Sequence, residues 1–113
     1  MITIHQIRLT DEQIDMINAK GHDSVPAQKA KLDVMFGAKG FKKENFQYYT
    51  PVYEVKTDDL EKAFDLTNVW QDRSSVRIIS GTRGYSSSVG DIFETNGKFY
   101  MVDTFGFEEV EVA

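Results

Sequence analysis

Residues 81–91, GTRGYSSSVGD, hold several residue types that make ligand contacts. Gly81, Gly84 and Gly90 let the main chain bend so that successive N–H groups converge, the geometry that cradles an anion. Arg83 adds a planar forked cation and Tyr85 a stacking face, with Arg73 and Arg77 just upstream. Ser86, Ser87 and Ser88 add hydroxyls. Against this, the Lys-Ser/Thr ending of a P-loop is missing and no helix start follows. A connector of glycine and serine between two strands has the same composition. Both readings stand: a loop that contacts a small anionic ligand or a partner, or a plain connector.

A second candidate is FKKENFQYY at residues 41–49, where Lys42 and Lys43 alternate with Phe41, Phe46, Tyr48 and Tyr49. Basic and aromatic side chains together bind single-stranded nucleic acid by charge and stacking. The same aromatics suit a protein-binding patch, or simply a core. Other chemistry is poorly specified. His5 and His22 are far apart and match no metal-ligand spacing, and there is no cysteine, so no metal or other cofactor is expected. The carboxylate pairs Asp58–Asp59 and Glu108–Glu109 are adjacent in sequence, and neighbours on a regular element point apart. The serine run is not a Gly-x-Ser-x-Gly elbow; SSVGD reads more naturally as a turn in which Asp91 makes a local hydrogen bond. No catalytic residue is expected, and the chain reads as non-enzymatic.

The elements that position these candidates can be read locally. MITIHQIRL alternates Ile2, Ile4 and Gln6 against Thr3, His5 and Ile7, which predicts a strand. Thr10 and Gln13 form a capping box for a helix ended by Gly21, with Leu9 and Ile14 placed as a staple and Ile14 and Ile17 as its apolar stripe. A second helix starts after Ser24 with Pro26 in its first turn, and Ala27, Ala30 and Val34 recur at helical spacing. Residues 39–49 read as an irregular connection, and residues 52–56 as a strand. Asp58 caps a third helix that faces Leu60, Ala63, Phe64 and Thr67 inward. Trp70 is expected to plug the core where that helix ends, and SVRIIS to form a strand. In DIFETNGKFYMVD, Asn96-Gly97 marks a two-residue hairpin, because a type I′ turn needs positive φ at both central positions. That sets Phe93 opposite Tyr100, Ile92 opposite Met101 and Glu94 opposite Phe99. A final strand follows, with Val110 and Val112 inward. The expected class is α+β: about three helices on one face of a mainly antiparallel sheet able to curl into a partial barrel.

Length and charge bound the function. A chain of 113 residues makes one domain, 1–113, with a core that needs no disulfide or metal staple. Neither a signal peptide nor a membrane-spanning run is visible, so a cytoplasmic location is expected. Residues 1–50 carry a net charge of +1 and residues 51–113 a net of −6, together the −5 of the whole chain. An acidic second half is a poor surface for phosphate backbones and argues against nucleic-acid binding. It instead keeps a small protein soluble, suits a basic partner, or mimics nucleic acid if Asp58, Asp59, Glu61, Asp65, Glu94, Glu108, Glu109 and Glu111 share one face.

DDLEKAFDLTNVW and SSSVGDIFETNGKFYMVDTFGFEEV together carry a resemblance. An acidic-capped helix ending Leu-Thr-Asn, a Ser-x-Ser-Val-Gly-Asp turn, a hairpin and an aromatic Gly-Phe segment resemble small uncharacterised proteins of tailed bacteriophages and related mobile elements. The likeness covers residues 50–113, and residues 1–48, a β-α-α part, match nothing in it. It implies a phage-encoded accessory protein acting on host machinery or host defence in the bacterial cytoplasm, with no ligand or catalytic residue to carry over. The expectation is a module that binds a host or phage protein through the 83–85 loop and the 46–49 aromatics. The alternatives are a nucleotide or anion sequestering protein and an acidic mimic.

Overall fold

Hydrophobic alternation and turn chemistry produce an α+β fold. Its order is β1 (Ile2–Ile7), α1 (Asp11–Lys20), α2 (Pro26–Asp33), β2 (Tyr49–Val55), α3 (Leu60–Val69), β3 (Val76–Ile78), β4 (Ile92–Thr95), β5 (Lys98–Val102) and β6 (Phe107–Val110). The computed structural model describes residues 1–69, 73–79 and 84–113. Trp70, Gly81 and Arg83 lie outside the described residues, as do the side chains of His22 and Arg73.

The six strands form one antiparallel sheet in the order β3-β2-β1-β4-β5-β6. β3 and β6 lie at opposite edges and do not pair, so the sheet stays open and the expected partial barrel is not formed. β1 is an interior strand, so residues 1–48 supply the middle of the sheet. The hairpin follows the turn rule: Asn96 has φ 53° and Gly97 φ 76°. Register matches the expectation, with Phe93 on Tyr100, Ile92 on Met101 and Glu94 on Phe99.

Helical structure covers both faces of the sheet, where the sequence predicted one. Ile2, Ile4, Val52, Val55, Phe93 and Val102 pack with Ala63 of α3. Ile7, Tyr49, Ile92 and Met101 pack with Val25, Ala27, Ala30 and Val34 around α2. The reason lies in β1: Ile2 and Ile4 serve one face while Ile7 serves the other, so both faces are apolar and both need cover. β2 carries a bulge, since Ile4 pairs with Tyr53 but His5 with Pro51, and Val52 is the extra residue. The bulge sends both Val52 and Tyr53 into the α3-side core. Pro51 has no N–H to offer the ladder, which suits this irregular position.

The helix starts follow their caps. At α1, Gln13 N donates to Thr10 Oγ1 at 3.1 Å, and Thr10 N donates to Gln13 Oε1 at 2.8 Å. The expected apolar stripe of α1 is not buried, however: Ile14 is exposed and only Ile17 packs on the core. α3 is capped by Asp59 rather than Asp58. Asp59 Oδ1 accepts from Glu61 N at 3.0 Å and Lys62 N at 3.3 Å, while Asp58 takes the Met1 amino group at 2.6 Å. The 39–49 connection, read as irregular, contains a 3₁₀ segment over Lys43–Tyr48. β2 begins at Tyr49 instead of Val52, and the last strand ends at Val110.

Candidate functional site

The segment 84–91 crosses the end of β1 and touches helices on both faces of the sheet. On the α3 side, buried Ser87 meets Thr67, with Oγ and Oγ1 2.5 Å apart. Thr67 Oγ1 also reaches the carbonyls of Ala63 at 2.9 Å and Phe64 at 3.1 Å, the back-bonding open to a threonine inside a helix. On the α2 side, Gly90 lies against Val34 with φ +96°, and a Cβ there would come 2.7 Å from Val34 Cγ2. The Gly90 carbonyl accepts from the buried Tyr49 hydroxyl at 2.6 Å. Burial pushes the Tyr49 hydroxyl well above its ordinary pKa, with the nearby Asp91 charge adding to the shift.

Between these anchors, Gln6 organises the loop. Its Nε2 donates to the Tyr85 carbonyl at 2.9 Å and to Asp91 Oδ2 at 3.0 Å, and its Oε1 accepts from Tyr85 N at 2.9 Å. Asp91 Oδ2 also accepts from Ser88 N at 3.1 Å, the local turn bond expected from SSVGD. Asp91 is buried, and desolvation raises its pKa from 3.8 to about 7. The hydrogen bonds from Ser88 and Gln6 and the charge of Lys31 oppose the rise without cancelling it.

Buried scaffolding thus presents an exposed tip. Tyr85 is 58% exposed, with the Arg8 guanidinium carbon 3.5 Å from its ring centroid and Lys31 Nζ 5.8 Å away. Arg8 Nη1 is buried and makes no hydrogen bond among the described residues. Beside this tip is a hollow of about 530 Å³ lined by Gln28, Lys31, Leu32, Met35, Ser88 and Val89. Met35 is 54% exposed, and Phe36 next to it is 84% exposed. Exposed large apolar groups beside a hollow are a surface suited to another protein.

The structure disperses several residues that the sequence grouped together. Arg77 pairs with Glu54 across the β2–β3 ladder, and Glu54 lies opposite Thr3, on the face away from Ile4 and Gln6. Ser86 is exposed beside Tyr85, while Ser87 is turned inward. The 46–49 aromatics act as packing: Phe46 stacks on Tyr49 at 5.9 Å and meets Phe99 edge-on at 5.4 Å, and Tyr48 packs on the same core. His5 lies in this cluster, with Nε2 2.8 Å from Glu94 Oε1, and burial keeps its pKa below the ordinary value. Arg8, Lys31 and Gln6 join the site from distant segments and carried no local sequence signal. Met35 and Phe36 did carry one, since both fall off the Ala27–Ala30–Val34 stripe.

Among the described residues, no group of three or more His, Cys, Asp or Glu is placed to hold a metal ion, and no helix is long and apolar enough to cross a membrane. No family model matches the chain, and neither a curated protein nor a solved structure matches it.

Proposed function

We propose that this chain is a non-enzymatic cytoplasmic protein, an accessory factor of the phage type, that works by binding another protein. The observation that carries the reading is the exposed surface formed by Leu32 and Met35, which line the hollow beside α2, and by Tyr85, whose ring lies 5.8 Å from Lys31 of the same lining. Monomeric proteins rarely leave large aromatic and aliphatic groups together in water without a use. Tyr85 brings wide contact area with few rotors to freeze, and it is pre-oriented by the buried Gln6–Asp91 hydrogen bonds. Capture from bacterial lysate tests this by comparing the natural chain with a Tyr85→Ala, Met35→Asp variant. Proteins enriched only by the natural chain support the reading. Equal enrichment by both, or none by either, overturns it.

A second reading rests on Arg8. Its guanidinium and the Lys31 ammonium, 3.5 and 5.8 Å from the Tyr85 ring centroid, are suited to a small anion, including a nucleotide beside that ring. The cavity beside Asp91 is only about 40 Å³, room for about one water, so such a ligand would lie on the open side of Tyr85. Native mass spectrometry of freshly purified protein distinguishes the two: a co-purified anion lost in Arg8→Ala favours this reading. Mimicry of nucleic acid loses its footing in the geometry. Glu94 bonds His5 on the α2 side, whereas Glu61 and Asp65 border a hollow on the α3 side, so the acids do not share one face.

A further inference from the structure

A second hollow, of about 380 Å³, lies between α3 and the β5–β6 hairpin. Its walls are apolar: Phe64 from α3, Val102 and Phe107 from the hairpin, and Val89 from the loop. Its rim is acidic, with Glu61 and Asp65 on exposed positions of α3. Strand alternation puts Glu109 on the same side as Phe107, extending the negative charge along the outer strand. Val89 also lines the hollow beside Tyr85, so the two hollows adjoin.

We infer that this groove receives a basic, apolar segment of the partner protein: a leucine- or phenylalanine-type anchor flanked by lysine or arginine. The inference rests on the reading that the chain binds a protein, and adds the chemistry of what it binds. Three considerations select this occupant. An acidic or phosphorylated segment meets like charge on the rim, while the chain carries −6 over residues 51–113. A purely apolar segment would cover Glu61 and Asp65 and strip their water with nothing in return. A lysine or arginine can lay its methylene stem on Phe64 or Phe107 and still deliver its charged head to the rim.

The test is selection of a random-peptide display library on the full-length protein, followed by binding of the selected peptides to two variants. Glu61→Lys with Asp65→Lys reverses the rim at exposed positions, and a melting curve checks that it folds. Tyr85→Ala alters the neighbouring surface only. The expected result is peptides rich in Lys or Arg around Leu, Phe or Trp, bound roughly tenfold more weakly by the charge-reversed variant. Their binding should weaken with added salt and survive Tyr85→Ala. Neutral or acidic peptides, or no selected peptides at all, would overturn the inference. Peptides that tolerate the charge reversal but are lost with Tyr85→Ala would also overturn it, while leaving protein binding through the Tyr85 surface intact.

Discussion

The side-chain amide of Gln6 pairs with the main chain of Tyr85 in both directions, donating to its carbonyl and accepting from its N–H, each at 2.9 Å. A side chain here does the work of a neighbouring strand, extending the ladder to a loop that has none. Gln6→Ala leaves the Tyr85 groups and Asp91 Oδ2 short of partners inside the protein. We expect a loss of roughly 1–3 kcal/mol, read as a lower denaturant midpoint, with faster amide exchange centred on Tyr85. A loss of stability without that local exchange would mean that Gln6 only fills space.

Asp91 makes the stability of the fold depend on pH. Its folded pKa of about 7 exceeds its ordinary 3.8, so between these values the folded chain holds more protons than the unfolded chain. Its contribution is complete below about pH 4 and is lost as pH rises to 7. Asp91→Asn should flatten that part of the profile, and the difference between the two proteins should reach a few kcal/mol, about 1.4 per pKa unit. Denaturant melts from pH 4 to 8 measure it. Taking the difference isolates Asp91 from His5, whose lowered pKa destabilises the fold in the opposite direction, as pH falls. Parallel profiles would show that Asp91 does not titrate in this window.

Ser87 ties the loop to α3 through one hydroxyl contact, and Thr67 keeps two carbonyl acceptors without it. Ser87→Ala should therefore cost about 1 kcal/mol. Thr67→Val removes the buried hydroxyl altogether and leaves Ser87 unpaired, so it should cost more. The order of the two melting temperatures is the check.

Two glycines separate backbone strain from crowding. Gly97 has φ 76° with nothing near a prospective Cβ, so Gly97→Ala should cost only the left-handed penalty, about 1–2 kcal/mol. Gly90→Ala adds a clash with Val34 Cγ2 to a φ of +96°, and should cost clearly more. Equal losses would mean that Val34 yields without resistance.

Whatever depends on neighbours in the chain was legible in the residues alone. The Thr10–Gln13 capping box needs two residues three apart, and both of its bonds are present. Asn96-Gly97 set the hairpin and its register, because the turn admits only positive φ and strand pairing follows from the turn. The inward face of α3, with Ala63 and Thr67 buried, followed from helical periodicity. A shift of a single residue, Asp59 for Asp58 as the cap, is the scale at which such local reasoning stops, since two adjacent aspartates can each do the job.

Tertiary structure alone decided the rest. It placed helical cover on both faces of the sheet, because β1 shows apolar groups to each. It turned the 46–49 aromatics to packing, with Tyr49 buried and Phe46 set edge-on to Phe99, from a strand about fifty residues on. Above all it assembled the candidate site from Gln6, Arg8, Lys31 and Tyr85, which no short-range spacing connects. Periodicity and turn chemistry act over a few residues, whereas which strands become neighbours is settled by burying the whole apolar surface at once.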